Sequence, residues 1–308
     1  MNFGIHTGQQ NAPYQDFVKA WKMADAAGFN WISVWDHFYE APDRGGDGPT
    51  YETVAMMTAA AAATTRARIG VLVMSAGYRP PALLAKMIAT LDHISNGRAN
   101  LGIGAGWHQA EYEAYGYTFP SLKARMDMLE ESVQIIQSML ANDTTTFEGA
   151  HYRVREAKLY PKPVQAKLPV WVGGGGEKRT IPIAAKHADG WNIAYVPPEV
   201  YRRKIAVLDQ WCEKFNRDPQ TIMRSINTGF YLGTDKKSAA RGLQQMAQDG
   251  FNVERTGPGM LRGLVSEAVE QIRAFERAGA TQMNIAFRPP FDFEAFQAFI
   301  EEAVPRFR

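Results

Sequence analysis

The sequence predicts an α/β fold, a single (β/α)8 TIM barrel with loop insertions that extends over residues 1–308. Short β-type runs alternate with amphipathic helical segments from one end of the chain to the other, in about eight units. Two predicted helices end on glycine just before a strand, at Ala27-Gly28 and Ala278-Gly279, which is typical of helix C-termini. Because no Pro-, Ser- or Gly-rich linker divides the chain, one domain is expected.

The first half of the chain contains four predicted units. Each joins a short apolar run to a segment whose apolar residues recur at helical spacing. The predicted strands and helices are 3–6 with 14–27, 31–35 with 51–64, 69–74 with 80–94, and 99–103 with two helices, 109–115 and 121–140.

The second half contains four more units and most of the inserted chain. The strands and helices are 170–172 with 178–187, 191–194 with 199–215, 225–232 with 236–248, and 283–287 with 291–303; a further helix covers 265–278. Three segments are predicted insertions, namely 38–49, 143–167 and 251–263. Within the second insertion, 144–147 and 152–154 flank a Glu-Gly-Ala turn, and this pattern predicts a β-hairpin.

The composition narrows the classes of partner. With 45% hydrophobic and 21% charged residues the chain has an ordinary globular composition. A net charge of +2 argues against nucleic acid or an anionic membrane as the main partner. The single Cys212 provides no internal disulfide and no metal cluster, which fits a reducing compartment. The start of the chain does not resemble a signal peptide, so we expect a cytoplasmic protein that acts on a small-molecule substrate without a metal ion.

Four consecutive glycines, Gly173 to Gly176, follow a predicted buried strand and precede a predicted helix that starts at Glu177 or Lys178. Without Cβ atoms the turn can bring backbone N–H groups close to a ligand. The helix N-terminus, Lys178 and Arg179 add positive charge, so phosphate is the expected ligand. The turn is neither a Walker loop nor a Rossmann fingerprint. The alternative is a simple strand-to-helix turn.

Polar residues at the carboxyl ends of barrel strands are candidates for the active site. Asp36 and His37 could form a catalytic pair, and the alternative is that this dipeptide makes a helix cap or a loop hydrogen bond. His108 and Glu111 lie three apart on a predicted helix, where a surface ion pair is expected more than a metal site. Trp107 could fill the core or form the wall of a pocket for a planar ligand. The full set of strand-end candidates also includes His6, Met74, Ser75, Gly104, Gly106 and Asn192.

Five motifs occur in a fixed order between the first strand and Asn192. They are Val34-Trp35-Asp36-His37-Phe38; Ile69-Gly70 through Tyr78-Arg79-Pro80-Pro81; Gly102-Ile103-Gly104-Ala105-Gly106-Trp107 with Glu111 and Ala114-Tyr115-Gly116; Gly174-Gly175-Gly176-Glu177-Lys178; and Ala188-Asp189-Gly190-Trp191-Asn192. In this order the chain resembles the luciferase-like monooxygenase superfamily and, within it, the branch of oxidoreductases that depend on the deazaflavin coenzyme F420.

The resemblance implies a bacterial luciferase-like barrel and a homodimer. It also implies a flavin-type ring at the barrel mouth, the cofactor phosphate on the glycine turn, and a non-prolyl cis peptide near Leu72-Val73 behind the ring. The cofactor-binding residues that it suggests are Asp36, Leu72, Val73, Met74, Gly106, Trp107, His108, Gly174, Gly175, Gly176, Glu177 and Lys178.

In the sugar-phosphate dehydrogenase relatives, the Asp-His pair matches Asp36 and His37, and the histidine is proposed to act on the substrate. Those relatives carry an acidic residue where Trp107 stands here, and a tryptophan in the loop after the Asp-His pair that this sequence lacks. These departures argue against a sugar-phosphate substrate.

Three functions follow from these observations. The leading hypothesis is an oxidoreductase that moves a hydride between F420 and a small organic substrate, with His37 as the proton-transfer residue and Glu111 as the second candidate. An FMN-dependent monooxygenase that uses reduced flavin and O₂ is the alternative on the same scaffold. A cofactor-binding barrel without turnover is the alternative of another class, and the polar residues at the barrel mouth argue against it.

Overall fold

Parallel strands form at each of the eight positions where the sequence predicts them. The computed structural model describes residues 1–40 and 46–308. In chain order the strands are β1 (Asn2–His6), β2 (Trp31–Val34), β3 (Arg68–Ser75), β4 (Ala99–Gly104), β5 (Thr145–Glu148), β6 (Arg153–Ala157), β7 (Val170–Gly173), β8 (Gly190–Ala194), β9 (Met223–Gly233), β10 (Leu261–Leu264) and β11 (Gln282–Ala286).

The helices follow the strands in the predicted alternation. They are α1 (Tyr14–Ala26), α2 (Thr53–Ala63), α3 (Pro81–Ile94), α4 (Gln109–Ala114), α5 (Leu122–Ala141), α6 (Thr180–His187), α7 (Pro198–Lys214), α8 (Lys236–Gln248), α9 (Ala268–Arg277) and α10 (Phe293–Glu302). Side-chain caps fix several helix starts. Glu52 accepts the Ala55 N–H at the start of α2, and Asp235 accepts the Ser238 N–H at the start of α8.

Eight of the strands close into a barrel in which all neighbours are parallel. The order around the barrel is β11-β1-β2-β3-β4-β7-β8-β9, and β9 pairs with β11 to complete the ring. All eight strands consist largely of buried residues, because they pack against the lumen on one face and the helices on the other. The predicted (β/α)8 barrel is therefore confirmed.

The lower part of the barrel is filled by two tryptophans. Trp31 of β2 and Trp171 of β7 lie with ring centroids 4.9 Å apart, and each is 1% exposed. Since β2 and β7 are three positions apart in the ring of strands, the two side chains meet across the lumen. A Cβ on Gly190 would lie 2.3 Å from the Trp171 ring, so glycine is needed there. With its lower end packed, the barrel has space for a ligand at the carboxyl-terminal end.

The inserted segments are only partly as predicted. The hairpin forms from β5 and β6, which pair antiparallel. The third insertion contains β10, which the sequence analysis missed, and this strand pairs in parallel with the extended end of β9. Its Leu-Arg-Gly-Leu sequence has neither the length nor the alternation of a recognisable strand. Part of the first insertion, at 41–45, lies outside the described residues.

The largest errors in the predicted helix boundaries are two starts that are too early. Helix α9 begins at Ala268 rather than at Val265, after a 3₁₀ turn over Val265–Glu267. Helix α6 begins at Thr180, three residues later than the earliest predicted start, and Pro182 then falls in its first turn, where proline is tolerated. Within the described part of the chain, none of the helices combines the length and the apolar character that a bilayer crossing requires.

Candidate active site

A cavity of about 530 Å³ opens at the carboxyl-terminal end of the barrel, where the active site is predicted. Each of the eight barrel strands, or the loop after it, contributes to its lining. A second cavity of about 550 Å³ lies farther out, between α8 and the loop after β11. Among the described residues, only Arg288 lines both cavities. The first cavity is the candidate site because the predicted strand-end residues surround it.

His37 follows β2, and its imidazole lies against a carboxylate. Its Nδ1 is 2.9 Å from Oε2 of Glu111. Because a carboxylate can only accept a hydrogen bond, Nδ1 carries a proton, and in the neutral form of the ring Nε2 has a lone pair for a ligand. The His37 side chain is 19% exposed, and it lines the cavity. His37 is therefore placed to exchange a proton with a bound molecule.

Glu111 lies behind His37 and is not part of the cavity lining. Its Oε1 accepts the backbone N–H groups of Phe38 at 2.8 Å and Tyr39 at 2.9 Å, and its Oε2 also accepts the Tyr78 hydroxyl at 2.9 Å. Burial alone would raise the pKa of Glu111, but these hydrogen bonds and the charge of His37 hold the pKa below its usual value. The ionised carboxylate thus fixes the loop after β2 and the orientation of His37.

The predicted surface ion pair between His108 and Glu111 is wrong. The short helix α4 turns Glu111 inward to His37, and its side chain has no exposed surface. His108 instead precedes α4 and stacks on Trp107, with ring centroids 4.9 Å apart. Trp107 is 59% exposed and meets the His37 ring edge-on at 5.4 Å. The structure therefore places Trp107 in the cavity wall rather than in the core.

Asp36 and His37 are sequence neighbours that have different partners. Both carboxylate oxygens of Asp36 accept hydrogen bonds from Nη1 of Arg79, at 2.8 and 2.9 Å. One of them also accepts a hydrogen bond from the Ser75 N–H at 2.9 Å. Burial alone would lower the pKa of the Arg79 guanidinium, but the Asp36 carboxylate beside it raises this pKa above its usual value. Of the two interpretations left open by the sequence, the structure thus favours the loop hydrogen bond, which joins the ends of β2 and β3.

The cavity floor is formed by an irregular segment of β3. The peptide bond between Leu72 and Val73 is cis, as the resemblance implies, and the β3–β4 register shifts between Val71 and Met74. The Val73 methyl groups occupy the space beside two glycines, one on β4 and one on the strand after it in the barrel, β7. A Cβ on Gly104 would lie 2.6 Å from Val73 Cγ2, and a Cβ on Gly173 would lie 2.5 Å from Val73 Cγ1. Larger residues at either position would displace this floor.

The glycine turn after β7 is held by its carbonyl groups. The oxygens of Gly174, Gly175 and Glu177 accept the indole N–H of Trp191 at 2.9 Å, the ammonium of Lys204 at 2.9 Å and the indole N–H of Trp211 at 3.1 Å, respectively. The N–H groups of Gly175, Gly176 and Glu177 have no acceptor within residues 1–40 and 46–308. The turn therefore presents free backbone donors, which an anion could accept.

The charges around the turn differ from the predicted set. Arg179 pairs with Asp127 at 2.6 Å and with Glu130 at 3.7 Å, so its charge is largely compensated. Lys204 of α7, which the sequence analysis did not single out, lies 2.7 Å from Glu177. Lys178 is exposed. Backbone N–H groups, rather than a cluster of free cations, are the principal feature of the turn.

His6 lies on the wall next to His37 and is nearly completely buried. Its Nδ1 is 3.0 Å from the hydroxyl of Ser33. Burial, with smaller contributions from the charges of Arg288 and His37, lowers the pKa of His6 to about 3. The His6 side chain is therefore a neutral imidazole at ordinary pH.

Several predicted residues are not in the lining of the described cavity. Met74 is buried behind Arg79, which lies 3.6 Å from its sulfur. Around the glycine turn the lining includes Gly173, Gly174 and Thr180 but not Gly175 to Lys178. The lining residues that were not predicted from the sequence are Trp35, Tyr78, Ala105, Met126, Thr180, Ile193, Ala194, Tyr195, Asn227, Phe251 and Arg288. Arg288 directly follows the predicted strand 283–287, so strand-end position was a usable signal for it, whereas Asn227 lies within β9 and carried no such signal. In the described part of the chain, no three His, Cys, Asp or Glu side chains form a possible metal site.

The chain is similar to known proteins over most of its length. Residues 1–284 match the family described as luciferase-like monooxygenase. The chain is 28% identical to an F420-dependent glucose-6-phosphate dehydrogenase of Amycolatopsis mediterranei (strain U-32), over 96% of this chain and 95% of that protein. It is 31% identical to the protein of the same name from Mycolicibacterium fortuitum, over 76% of this chain and 69% of the relative.

A solved structure shares the fold. An F420-dependent secondary alcohol dehydrogenase in complex with an F420-acetone adduct superposes with a TM-score of 0.87, and the match covers 100% of this chain and 99% of that one. At 21% sequence identity, this similarity supports the barrel architecture.

Proposed function

The chain belongs to the luciferase-like monooxygenase family, and from this membership we propose how the barrel acts. The protein is an F420-dependent oxidoreductase, as are its curated relatives by name. It transfers a hydride between the deazaflavin and a small organic substrate, which we propose to be an alcohol or a carbonyl compound. The observation that carries this proposal is the His37–Glu111 pair at the edge of the cavity.

The residues around the cavity fit a flavin-type cofactor. The apolar floor at Leu72 and Val73, and the exposed face of Trp107, suit a planar ring. The free N–H groups of the glycine turn, from Gly175 to Glu177, suit its phosphate. When bound, F420 supplies the hydride acceptor or donor, and the protein residues position the reactants and exchange a proton.

His37 is proposed to exchange the proton of the substrate oxygen through Nε2. Its Nδ1–H is donated to Glu111, so the imidazole is fixed in one tautomer and one orientation. Glu111 has no exposed surface, so we assign it as a positioning residue that acts through His37, in place of the direct role considered from the sequence.

The proposal is tested by an anaerobic titration of the apoprotein with F420 and, separately, with FMN, read by fluorescence. We expect F420 to bind at least about tenfold more tightly, a difference of about 1.4 kcal/mol. Equal or reversed affinities would reject the F420 assignment and favour the FMN-dependent monooxygenase. Binding of F420 without turnover of any alcohol or carbonyl compound would favour the non-catalytic barrel.

We further propose that the protein acts as a cytoplasmic homodimer. Helix α3 exposes Leu83 and Ile94, and the segment that packs against α3 through His93 exposes Tyr160 and Val164. Exposed apolar side chains on neighbouring segments are a common feature of subunit interfaces. Size-exclusion chromatography with light scattering should give twice the mass of 34.3 kDa, and a mass of one chain would reject the dimer.

A further inference from the structure

Arg288 occupies a distinctive position at the barrel mouth. It follows β11 by two residues, and its side chain lines both the candidate active site and the outer cavity between α8 and the loop after β11. Among the described lining residues of the active-site cavity, it is the only lysine or arginine. It is thus the permanent positive charge that a bound molecule would meet.

Two aromatic rings hold the Arg288 guanidinium in place. Its Cζ lies 4.7 Å from the ring centroid of Trp35 and 5.1 Å from that of Tyr195. Its Nη2 donates to the Tyr195 hydroxyl. Stacking of this kind restricts the orientation of a guanidinium without neutralising it.

The charge of Arg288 has no counter-ion in the part of the protein that the structure describes. No carboxylate of residues 1–40 or 46–308 forms an ion pair with Arg288, and its buried Nε–H has no acceptor. A half-buried charge without a counter-ion and with an unpaired buried N–H is unfavourable, and an anionic group that binds next to it relieves that cost. This combination points to an anionic ligand.

The position of Arg288 places this anion on the His37 side of the cavity. Around the barrel, β11 is two positions from β2, which precedes His37, and three positions from β7, which precedes the glycine turn. The Trp35 ring that stacks on Arg288 also meets the His37 ring, with centroids 5.6 Å apart. A small molecule that contacts Arg288 can therefore present another of its atoms to His37.

We propose that Arg288 binds a carboxylate of the substrate, so that the substrates are small hydroxy acids or the corresponding oxo acids. This inference rests on the proposed function, because it places the reacting carbon beside His37. One planar guanidinium matches one carboxylate in geometry and charge. A phosphate dianion would leave one negative charge unmatched in this cavity, so a phosphate ester fits less well.

The test uses acids paired with their uncharged amides. Lactate with lactamide and mandelate with mandelamide are titrated by calorimetry against the F420-loaded enzyme. In wild type we expect at least one acid to bind about tenfold more tightly than its amide. R288M should reduce that ratio to about one, and R288K should retain part of it, because Lys keeps the charge but not the planar pair of donors. R241M, which removes an arginine from the outer cavity alone, is the matched control and should bind as wild type does.

Three results would overturn the proposal. The first is equal binding of acids and amides, or no binding of either acid, by wild type. The second is an unchanged acid-to-amide ratio in R288M. The third is a loss of F420 affinity above about tenfold in R288M, which would assign Arg288 to the anionic groups of the cofactor. If wild type failed to bind F420, the proposed function would fall; the same pairs titrated against the cofactor-free protein would still measure the preference due to Arg288.

Discussion

At the residue scale, partners rather than residue types distinguish the two acidic side chains beside His37. Asp36 is paired with Arg79, and its carboxylate joins two strand ends. Glu111 is paired with His37 and accepts two further backbone N–H groups. A carboxylate that already neutralises a guanidinium cannot orient an imidazole, whereas the Glu111 carboxylate does so. His37 is consequently the residue whose removal should affect proton transfer most directly.

We expect H37A to lower turnover about 100-fold or more while F420 affinity stays within a few-fold of wild type, as is usual for the loss of a general acid–base group. The measurements are steady-state turnover with a substrate identified by screening, and an anaerobic F420 titration. H151A, which removes an exposed histidine, is the control. A collapse of F420 affinity in H37A would instead identify His37 as a cofactor-binding residue.

E111Q should weaken both stability and turnover. The amide nitrogen of Gln would face donors that now bind the carboxylate, and the resulting loss in the free energy of unfolding should be about 1–3 kcal/mol. Turnover should fall about tenfold or more because His37 loses its fixed orientation. E113Q, which changes an exposed neighbour on α4, should have neither effect.

The pH dependence gives a second readout for Glu111. Since its pKa is lower in the folded protein than usual, Glu111 contributes stability that is present above the ordinary carboxyl pKa and is lost as the pH falls through the folded pKa. This part of the acid destabilisation should be absent from E111Q. Identical acid-unfolding profiles of wild type and E111Q would contradict the assignment.

Residue positions could be predicted from the sequence better than residue contacts. The rule that strand ends build the site identified Asp36, His37 and Trp107, because strand position can be read from local patterns. The contacts of His37 with Glu111 and of Asp36 with Arg79 join residues 74 and 43 apart in the chain. Such contacts depend on how the loops after three different strands fold over the barrel, and local spacing carries no information on that.

At the element scale, the glycine turn combines a predicted feature with an unpredicted one. Its place between β7 and α6 follows from the apolar run before it and the helical pattern after it. The anchoring of its carbonyl groups by Trp191, Lys204 and Trp211 involves residues of β8 and α7, which the sequence does not connect to the turn. These anchors direct the carbonyl oxygens to the protein and leave the N–H groups of the turn without an acceptor.

Substitutions at Gly175 test whether these N–H groups bind the cofactor phosphate. A Cβ there would lie 2.6 Å from Cδ1 of Ile193, which can move, so G175A should weaken F420 binding modestly. G175D adds a negative charge near the phosphate and should weaken F420 binding by roughly two to three orders of magnitude. The reason is that two unit charges about 4 Å apart at an effective dielectric near 20 repel by roughly 4 kcal/mol. K178A should weaken F420 binding less than G175D does, by about 1 kcal/mol, because the backbone donors of the turn remain.

G175N is the matched control, since it has nearly the size of G175D without the charge. Dissociation constants for F420 should be measured beside thermal melts of the apoproteins, which should change little because the turn lies at the barrel mouth. If G175D bound F420 as wild type does while melting normally, the phosphate would have to bind elsewhere.

At the scale of the whole molecule, the barrel was predictable because its signal repeats. Each strand–helix unit has its own apolar pattern and turn residues, so an error in one boundary, such as the start of α6, does not change the architecture. The missed strand β10 has no such pattern, and it exists because the extended end of β9 offers it an edge to pair with. The fold is thus more predictable than the site, since the site consists of single contacts between units.

The stability of the whole barrel should depend on pH through His6. The pKa of His6 is lowered from its ordinary 6.5 to about 3 in the folded protein. Above pH 6.5 His6 is neutral in both the folded and the unfolded chain, so its contribution to the free energy of unfolding is fully present. Below that pH the unfolded chain takes up a proton that the folded chain does not, and each pH unit then costs up to about 1.4 kcal/mol of unfolding free energy.

Between about pH 6.5 and pH 4.5 the free energy of unfolding of wild type should therefore fall by roughly 2 kcal/mol more than that of H6Q. Gln can still donate to the Ser33 hydroxyl, which lies 3.0 Å from Nδ1 of His6, but it does not titrate. Denaturant unfolding of the cofactor-free proteins at several pH values gives the two slopes. The other titrating groups act in both proteins and cancel in the difference, and any constant destabilisation of H6Q shifts its curve without changing its slope. If the unfolding free energies of wild type and H6Q changed in parallel over this range, His6 would take up its proton in the folded protein as well. The assignment of a neutral, buried His6 to the cavity wall would then be wrong.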